Sequence, residues 1–197
     1  MLFLHGAGER GEDLDVAERH GFMKHVRESG KEYPFLFVSP QCPNDKQWVN
    51  YPWLDGTYNF ILTEQSEPSK FAANLIFDKI MKQYNIDEKK VYITGLSMGG
   101  YGTWDMLARY PKKFAAAVTV CGGVDERLAS YYKDIPIWIC HGSVDSIVNY
   151  NAERRTYALM VLNDAKDVHY TEYLGVDHNA WDFAYTDEKI FKWLISH

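Results

Sequence analysis

Cysteine is scarce in this sequence, basic clusters are short, and repeats are missing. Three cysteines among 197 residues, Cys42, Cys121 and Cys140, cannot all pair. None stands in CxxC spacing, which argues against a disulfide framework or a zinc knuckle and leaves reduced, structural thiols. No apolar run approaches the ~20 residues that span a bilayer. The longest candidates are stretches such as Ile135 to Cys140, so a soluble chain with no membrane partner is expected. No Lys/Arg cluster exceeds two in a row, and 21 basic against 27 acidic side chains leave a net charge of −6. Nucleic acid is therefore not an expected partner. The segment Met1 to Gly6 lacks a basic leader and a small-residue cleavage site, so no secretion signal is expected there. The compartment, cytoplasmic or secreted after processing, stays open. With no internal repeat and no Pro/Gly/Ser linker, 1–197 reads as a single domain.

What is present is material for a core. Hydrophobic residues make up 46% and aromatics 15%, including 6 Trp, 14 Tyr and 10 Phe, which excludes disorder for most of the chain. Short apolar runs at Leu2 to Leu4, Phe35 to Ser39, Val91 to Thr94, Ala115 to Val120, Pro136 to Cys140 and Val168 to Leu174 read as strands. Helical patterns lie between them at Leu14 to Glu28, Ser69 to Tyr84, Met98 to Tyr110, Asn151 to Leu162 and Asp187 to Ser196. In the second of these Ala72, Leu75, Ile76 and Ile80 mark one face. Alternating strands and helices, with strands apolar on both faces, predict a three-layer α/β architecture around a mostly parallel sheet of about six strands. The stretch between Pro40 and Pro68 breaks this rhythm. It is long for a loop and rich in Trp48, Tyr51, Trp53 and Tyr58, which suggests a functional surface or a covered core edge.

Gly95-x-Ser97-x-Gly99 falls between a strand and a helical pattern. With glycine near ~7% of residues, the bare pattern recurs by chance in roughly one chain in fifteen of this size. The flanking elements make it informative, because a sharp strand-to-helix turn needs glycine where side chains would collide. Ser97 is the candidate nucleophile, its hydroxyl at a helix N-terminus beside the Met98 amide. An N-cap serine is the plainer alternative. A serine nucleophile needs a histidine base and a carboxylate that orients it. Asp145 follows the strand ending at Cys140, and His178 follows the last strand, giving the order Ser, Asp, His. His5 and His141 are rivals, each after a strand and before glycine, where an imidazole more often braces a loop. His20 and His25 fall in a predicted helix, His169 in a strand and His197 at the terminus. The loop His5-Gly-Ala-Gly-Glu-Arg-Gly lacks the Lys-Ser/Thr of a P-loop, and as a dinucleotide loop its Gly6, Gly8 and Gly11 would leave the acidic Glu9 against a pyrophosphate, with no convincing ribose-binding acid further on. It reads as a second oxyanion wall through the Ala7 amide, with Glu9 and Arg10 fixing it as an ion pair.

These residues resemble the α/β-hydrolase superfamily, and within it the compact esterase/peptidase-like branch related to feruloyl esterases, polyhydroxybutyrate depolymerases and carboxylesterases. The resemblance rests on LHGAGERG at Leu4 to Gly11, PQCP at Pro40 to Pro43, GLSMGGYGTWD at Gly95 to Asp105, PKKFAAAVTVCGG at Pro111 to Gly123, HGSVDSIV at His141 to Val148 and DHNAWDFAY at Asp177 to Tyr185. It implies Ser97, Asp145 and His178 as catalytic triad, Ala7 and Met98 as oxyanion donors, and no metal or organic cofactor. Relatives usually carry strands before the LHG strand. Their absence here predicts a sheet edge that is exposed or covered by a second copy of the chain. The 121–134 segment is too short for a lid, so an open site is expected.

The expected activity is a serine carboxylic-ester hydrolase acting through an acyl-enzyme on a small-molecule or saccharide ester. Trp48, Trp53, Tyr58 and Trp181 are candidates for an aromatic platform, favouring acyl or feruloyl esters of plant polysaccharides. Alternatives are a lysophospholipase or thioesterase, a serine peptidase of the same fold, and a non-catalytic binding module on the same scaffold. A dienelactone-hydrolase variant is disfavoured because position 97 is serine, not cysteine.

Overall fold

Five of the six strand-forming runs assemble into one sheet in the structure, a computed structural model that describes residues 1–56 and 58–197. The strands are β1 (Leu2–Leu4), β2 (Tyr92–Leu96), β3 (Ala116–Val120), β4 (Ile137–Gly142) and β5 (Val168–Tyr173). All neighbours are parallel, in the spatial order β1-β2-β3-β4-β5. The helices are α1 (Leu14–Ala17), α2 (Gly21–Ser29), α3 (Glu67–Asn74), α4 (Met81–Gln83), α5 (Met98–Arg109), α6 (Ala129–Tyr132), α7 (Asn151–Leu162), α8 (Trp181–Ala184) and α9 (Glu188–Ile195). A π-helical stretch, Leu75–Ile80, joins α3 to α4.

Period-two alternation sorts the strand residues onto two faces. Leu2, Leu4, Ile93, Ala117, Ile137 and Ile139 pack with Trp104, Met106 and Leu107 of α5, Ala72 of α3 and Met160 of α7. Phe3, Tyr92, Val118 and Val120 pack on the opposite face with Phe22 of α2, Ala184 of α8, and Ile190 and Leu194 of α9. The three-layer α/β expectation therefore holds, and with every strand running the same way, the loops that follow them gather along one sheet edge.

Two elements differ from the sequence expectation. Phe35 to Ser39 forms no strand but a single parallel bridge between Val38 and Leu2. Pro34 and Pro40 bracket the run and cannot donate to a ladder. This segment nonetheless covers the outer edge of β1: the Met1 amino group donates to the Leu36 carbonyl (2.7 Å), the Phe3 amide to Val38 (2.9 Å) and the Val38 amide to Met1 (2.9 Å). The edge expected to be exposed or covered by a second copy is thus capped by the chain itself. The helix expected over Leu14 to Glu28 is broken into α1 and α2 at Gly21, whose φ is +72°. A Cβ there would stand 2.6 Å from Leu96 Cδ2 and 2.8 Å from Phe3 Cζ, so close packing on the sheet requires glycine.

Among its described residues the long aromatic stretch has no strand or helix between its bridge at Val38 and α3. Thr57 within it lies outside the described residues. Its far end is held by Arg109 of α5, which donates to the carbonyls of Ile61 (3.1 Å), Leu62 (2.5 Å) and Glu64 (2.8 Å) while pairing with the buried Asp105 (2.8 Å). Burial raises the Asp105 carboxyl above its ordinary value, against the opposing pull of Arg109. Among the described residues no helix is long and apolar enough to cross a membrane.

Candidate active site

Ser97 links β2 to α5 at φ +52°, ψ −121°, a conformation that costs an L residue on the order of 1–3 kcal/mol. The surroundings over-determine it. The Ser97 amide donates to the Val120 carbonyl (2.9 Å), and its own carbonyl accepts from the Gly100 amide (2.8 Å). Helix α5 crosses the end of β1 so closely that a Cβ on Gly99 would lie 1.9 Å from the Leu4 carbonyl oxygen. The side chain of Ser97 is thereby presented beyond the sheet, at the first turn of the helix.

From the other side comes His178, on the loop after β5. Its Nε2 lies 2.8 Å from Ser97 Oγ, and its Nδ1 lies 2.7 Å from Asp145 Oδ2. Asp145 sits on the loop after β4, where its Oδ1 accepts from the amides of Ile147 (2.9 Å) and Val148 (2.8 Å). Burial would raise the Asp145 carboxyl, but hydrogen bonds from His141, His178 and the Val148 amide outweigh it and hold the group well below the usual carboxylate range. The two loops are tied by Asp177, which accepts from the Ser146 amide (2.7 Å) and from the amide of His178 (2.8 Å). Three side chains separated by 81 and 33 positions therefore form one hydrogen-bonded chain.

Beneath this chain the sequence concealed a second layer. His141, at the end of β4, is fully buried, with Nε2 3.1 Å from Asp145 Oδ2 and Nδ1 2.6 Å from Glu153 Oε2. Glu153 of α7 also accepts from Trp104 Nε1 (2.7 Å). Burial works to lower the His141 pKa, but the bonds and charges of Asp145 and Glu153 prevail and push it up to about 9. Glu153 was legible in one respect, since it shares the buried stripe of α7 with Ala152, Thr156 and Met160. The Cys121 thiol lies within 4.8 Å of the Asp145 and His178 donor atoms, the one such cluster among the described residues. Burial raises the thiol well above its ordinary value, while Asp145 and His178 are engaged with each other.

Above Ser97 opens a cleft of about 290 Å³, walled by Gly6, Ala7, Trp53, Ile147, His178 and Trp181. Ala7 and Met98 each occupy the first position of a helical turn, which leaves their amides without an intrahelical acceptor. The expected Glu9–Arg10 ion pair is absent: Arg10 donates instead to the carbonyls of Ala7 (2.9 Å) and Lys46 (3.3 Å), and Glu9 faces His20 at 3.8 Å. Backbone carbonyls on the loop out-compete the carboxylate because Glu9 turns inward, where burial raises its pKa. His20 lines the cleft too. The helical pattern over Leu14 to Glu28 includes it, and only Gly21, which follows it, marks a break.

The four aromatic candidates separate. Trp53 and Trp181 line the cleft, with the Trp181 ring edge-on to His178 at 5.2 Å. Trp48 is wholly buried and donates to the His5 carbonyl (2.9 Å), so it props the Ala7 loop from inside and offers no platform. Tyr58 stacks on Tyr101 at 5.7 Å and is not among the residues that wall the cleft. His5 is likewise a brace, accepting from the Cys42 amide at Nε2 (2.9 Å) with Nδ1 2.7 Å from the Gly6 carbonyl; burial lowers its pKa.

The same fold recurs among known proteins. A thermostable esterase of known structure superposes with a TM-score of 0.81 and 34% identity, over 99% of this chain and 53% of that one. A poly(3-hydroxyoctanoate) depolymerase of Pseudomonas fluorescens is 26% identical over 178 residues, 84% of this chain and 60% of the depolymerase. A bifunctional acetylxylan esterase/xylanase of Neocallimastix patriciarum is 36% identical over 75 residues, 38% of this chain and 11% of that protein. The chain thus spans between about a tenth and 60% of the length of these relatives. Fold and relatives define an α/β-hydrolase of the esterase-like branch. The chain belongs to the prolyl oligopeptidase family, whose sequence pattern it matches over residues 74–176.

Proposed function

We propose that residues 1–197 act as one catalytic domain that cleaves carboxylic esters by acyl transfer, with Ser97 as nucleophile, His178 as proton carrier and Asp145 as its orienting carboxylate. The observation that carries this is the continuous chain of 2.8 and 2.7 Å contacts from Ser97 Oγ through both His178 nitrogens to Asp145. Asp145 accepts from Nδ1–H, which turns the Nε2 lone pair toward the hydroxyl. As Oγ attacks the ester carbonyl carbon its proton passes to Nε2, and the carbonyl oxygen takes up negative charge beside the amides of Ala7 and Met98. Collapse of the tetrahedral intermediate expels the alcohol, which leaves with the proton from Nε2. Water, deprotonated in turn by His178, then frees the acid and restores Ser97.

The substrate class assigned is an acyl ester of a saccharide, such as an acetylated or feruloylated plant polysaccharide. Support comes from Trp53 and Trp181 as flat walls of the cleft and from the likeness to a protein named as an acetylxylan esterase. The test is turnover of p-nitrophenyl acetate, acetylated xylan and methyl ferulate by the wild-type chain and Ser97→Ala. The variant is expected to lose roughly 10⁴–10⁶-fold in kcat. Undiminished turnover would overturn the serine assignment, and cleavage of p-nitrophenyl acetate with neither of the other two substrates would overturn the substrate class.

A further inference from the structure

The His141–Glu153 pair is expensive. A buried ion pair at a helix–sheet interface is commonly no better for stability than apolar residues of equal volume, so its presence asks for a task. Proton counting locates one. His141 Nε2 faces two acceptors, Asp145 Oδ2 at 3.1 Å and the Val148 carbonyl at 3.2 Å, so it must carry a hydrogen. Its Nδ1 shares a second hydrogen with Glu153 Oε2 at 2.6 Å, and the Trp104 indole donating into Glu153 Oε1 favours the carboxylate form. The ring is then an imidazolium between two carboxylates. Asp145 in consequence receives His178 and His141 on Oδ2 and the Ile147 and Val148 amides on Oδ1. Four donors leave it no freedom to rotate.

We propose that His141, charged through Glu153, is a positioning residue that locks the Asp145 carboxylate against His178 and offsets part of its charge, so that it sets the pH at which the base becomes free. This rests on the acyl-transfer assignment above. Without the imidazolium, Asp145 acts at full strength on His178 and stabilises its protonated form. Glu153 opposes this from the far side of the ring and counts for less. The other titratable groups packed around the layer are the Cys121 thiol beside Asp145, the Cys140 thiol and the Tyr58, Tyr101 and Tyr170 phenols toward Glu153, Tyr150 against the imidazole at 6.4 Å, and Asp177 on the His178 loop. Burial keeps both thiols and the Tyr58, Tyr101 and Tyr170 phenols neutral.

The experiment compares Glu153→Gln with the wild-type chain. The amide can still accept from Trp104 and donate to His141 Nδ1, which leaves the ring neutral but still bonded to Asp145. The acid limb of the kcat/KM profile for p-nitrophenyl acetate should move to higher pH by roughly 0.5–1 unit, with KM changed by less than about twofold. The double variant His141→Gln/Glu153→Gln, which keeps an uncharged hydrogen-bonded pair, should show the same displacement. In the unaltered chain, ¹⁵N spectra at pH 7 should show both His141 ring nitrogens protonated, a readout that survives any folding failure of the variants. Coincident acid limbs, or a neutral His141 ring, would overturn the proposal. Failure of the acyl-transfer assignment is distinguishable: there Ser97→Ala would still react with a fluorophosphonate probe, whatever the pH profiles show.

Discussion

Gly99 and Leu4, on elements 95 residues apart, meet so closely that a Cβ on Gly99 would lie 1.9 Å from the Leu4 carbonyl oxygen and 2.5 Å from its carbon. This approach seats the first turn of α5 over β1, beside the Ala7 loop that walls the cleft. Gly99→Ala should therefore push the helix off the strand, and since backbone rather than a flexible side chain is in the way, relaxation is costly. The expected result is a loss of several kcal/mol in urea unfolding. Fluorophosphonate labelling of whatever folded protein remains should also slow. A variant with unchanged stability and labelling would show that this contact is not what shapes the turn.

Arg109→Met should destabilise the chain by about 3–5 kcal/mol, the usual cost of leaving a buried charge without its partner. Asp105 is fully buried, and its remaining bond is a 3.3 Å contact from Ser69. The carbonyls of Ile61, Leu62 and Glu64 lose the Arg109 donor at the same time, so proteolysis between 58 and 66 should accelerate. Asp105→Asn/Arg109→Met should recover part of the stability, as thermal melting would show.

Stability should fall as pH rises through the alkaline range. The His141 pKa stands at about 9 in the folded chain against an ordinary 6.5, so its contribution is complete below about 6.5 and disappears as pH climbs through 9. The amount at stake is at most about 3–4 kcal/mol. Urea midpoints measured from pH 6 to 10 should decline for the wild-type chain and much less for His141→Gln/Glu153→Gln. Parallel curves would place the alkaline loss elsewhere.

Trp53 and Trp181 should behave differently under truncation. Trp53 walls the cleft and packs edge-on against Tyr101 at 5.8 Å, so Trp53→Ala is expected to raise KM for methyl ferulate about 3–10-fold with little change in kcat. Trp181 packs edge-on against the His178 ring, so Trp181→Ala should lower kcat as well. Steady-state kinetics on methyl ferulate and p-nitrophenyl acetate separates the two effects.

The sequence by itself determined the strand-helix rhythm, the three-layer class and the sharp turn at Ser97, because these follow from side-chain periodicity and from glycine, both local properties. It also made Asp145 and His178 the leading partners, since each follows a strand and parallel strands deliver their loops to one edge. Tertiary structure alone decided that Phe35 to Ser39 caps the sheet by one bridge, because flanking prolines tell only what the run cannot donate, not what it lies against. It decided as well that Trp48 is a hidden prop while Trp53 is a wall, a distinction the loop's composition does not carry. Above all it set His141 between Asp145 and Glu153. A charge trapped between two others is a relation among three elements, and no local pattern in the chain encodes the depth at which they meet.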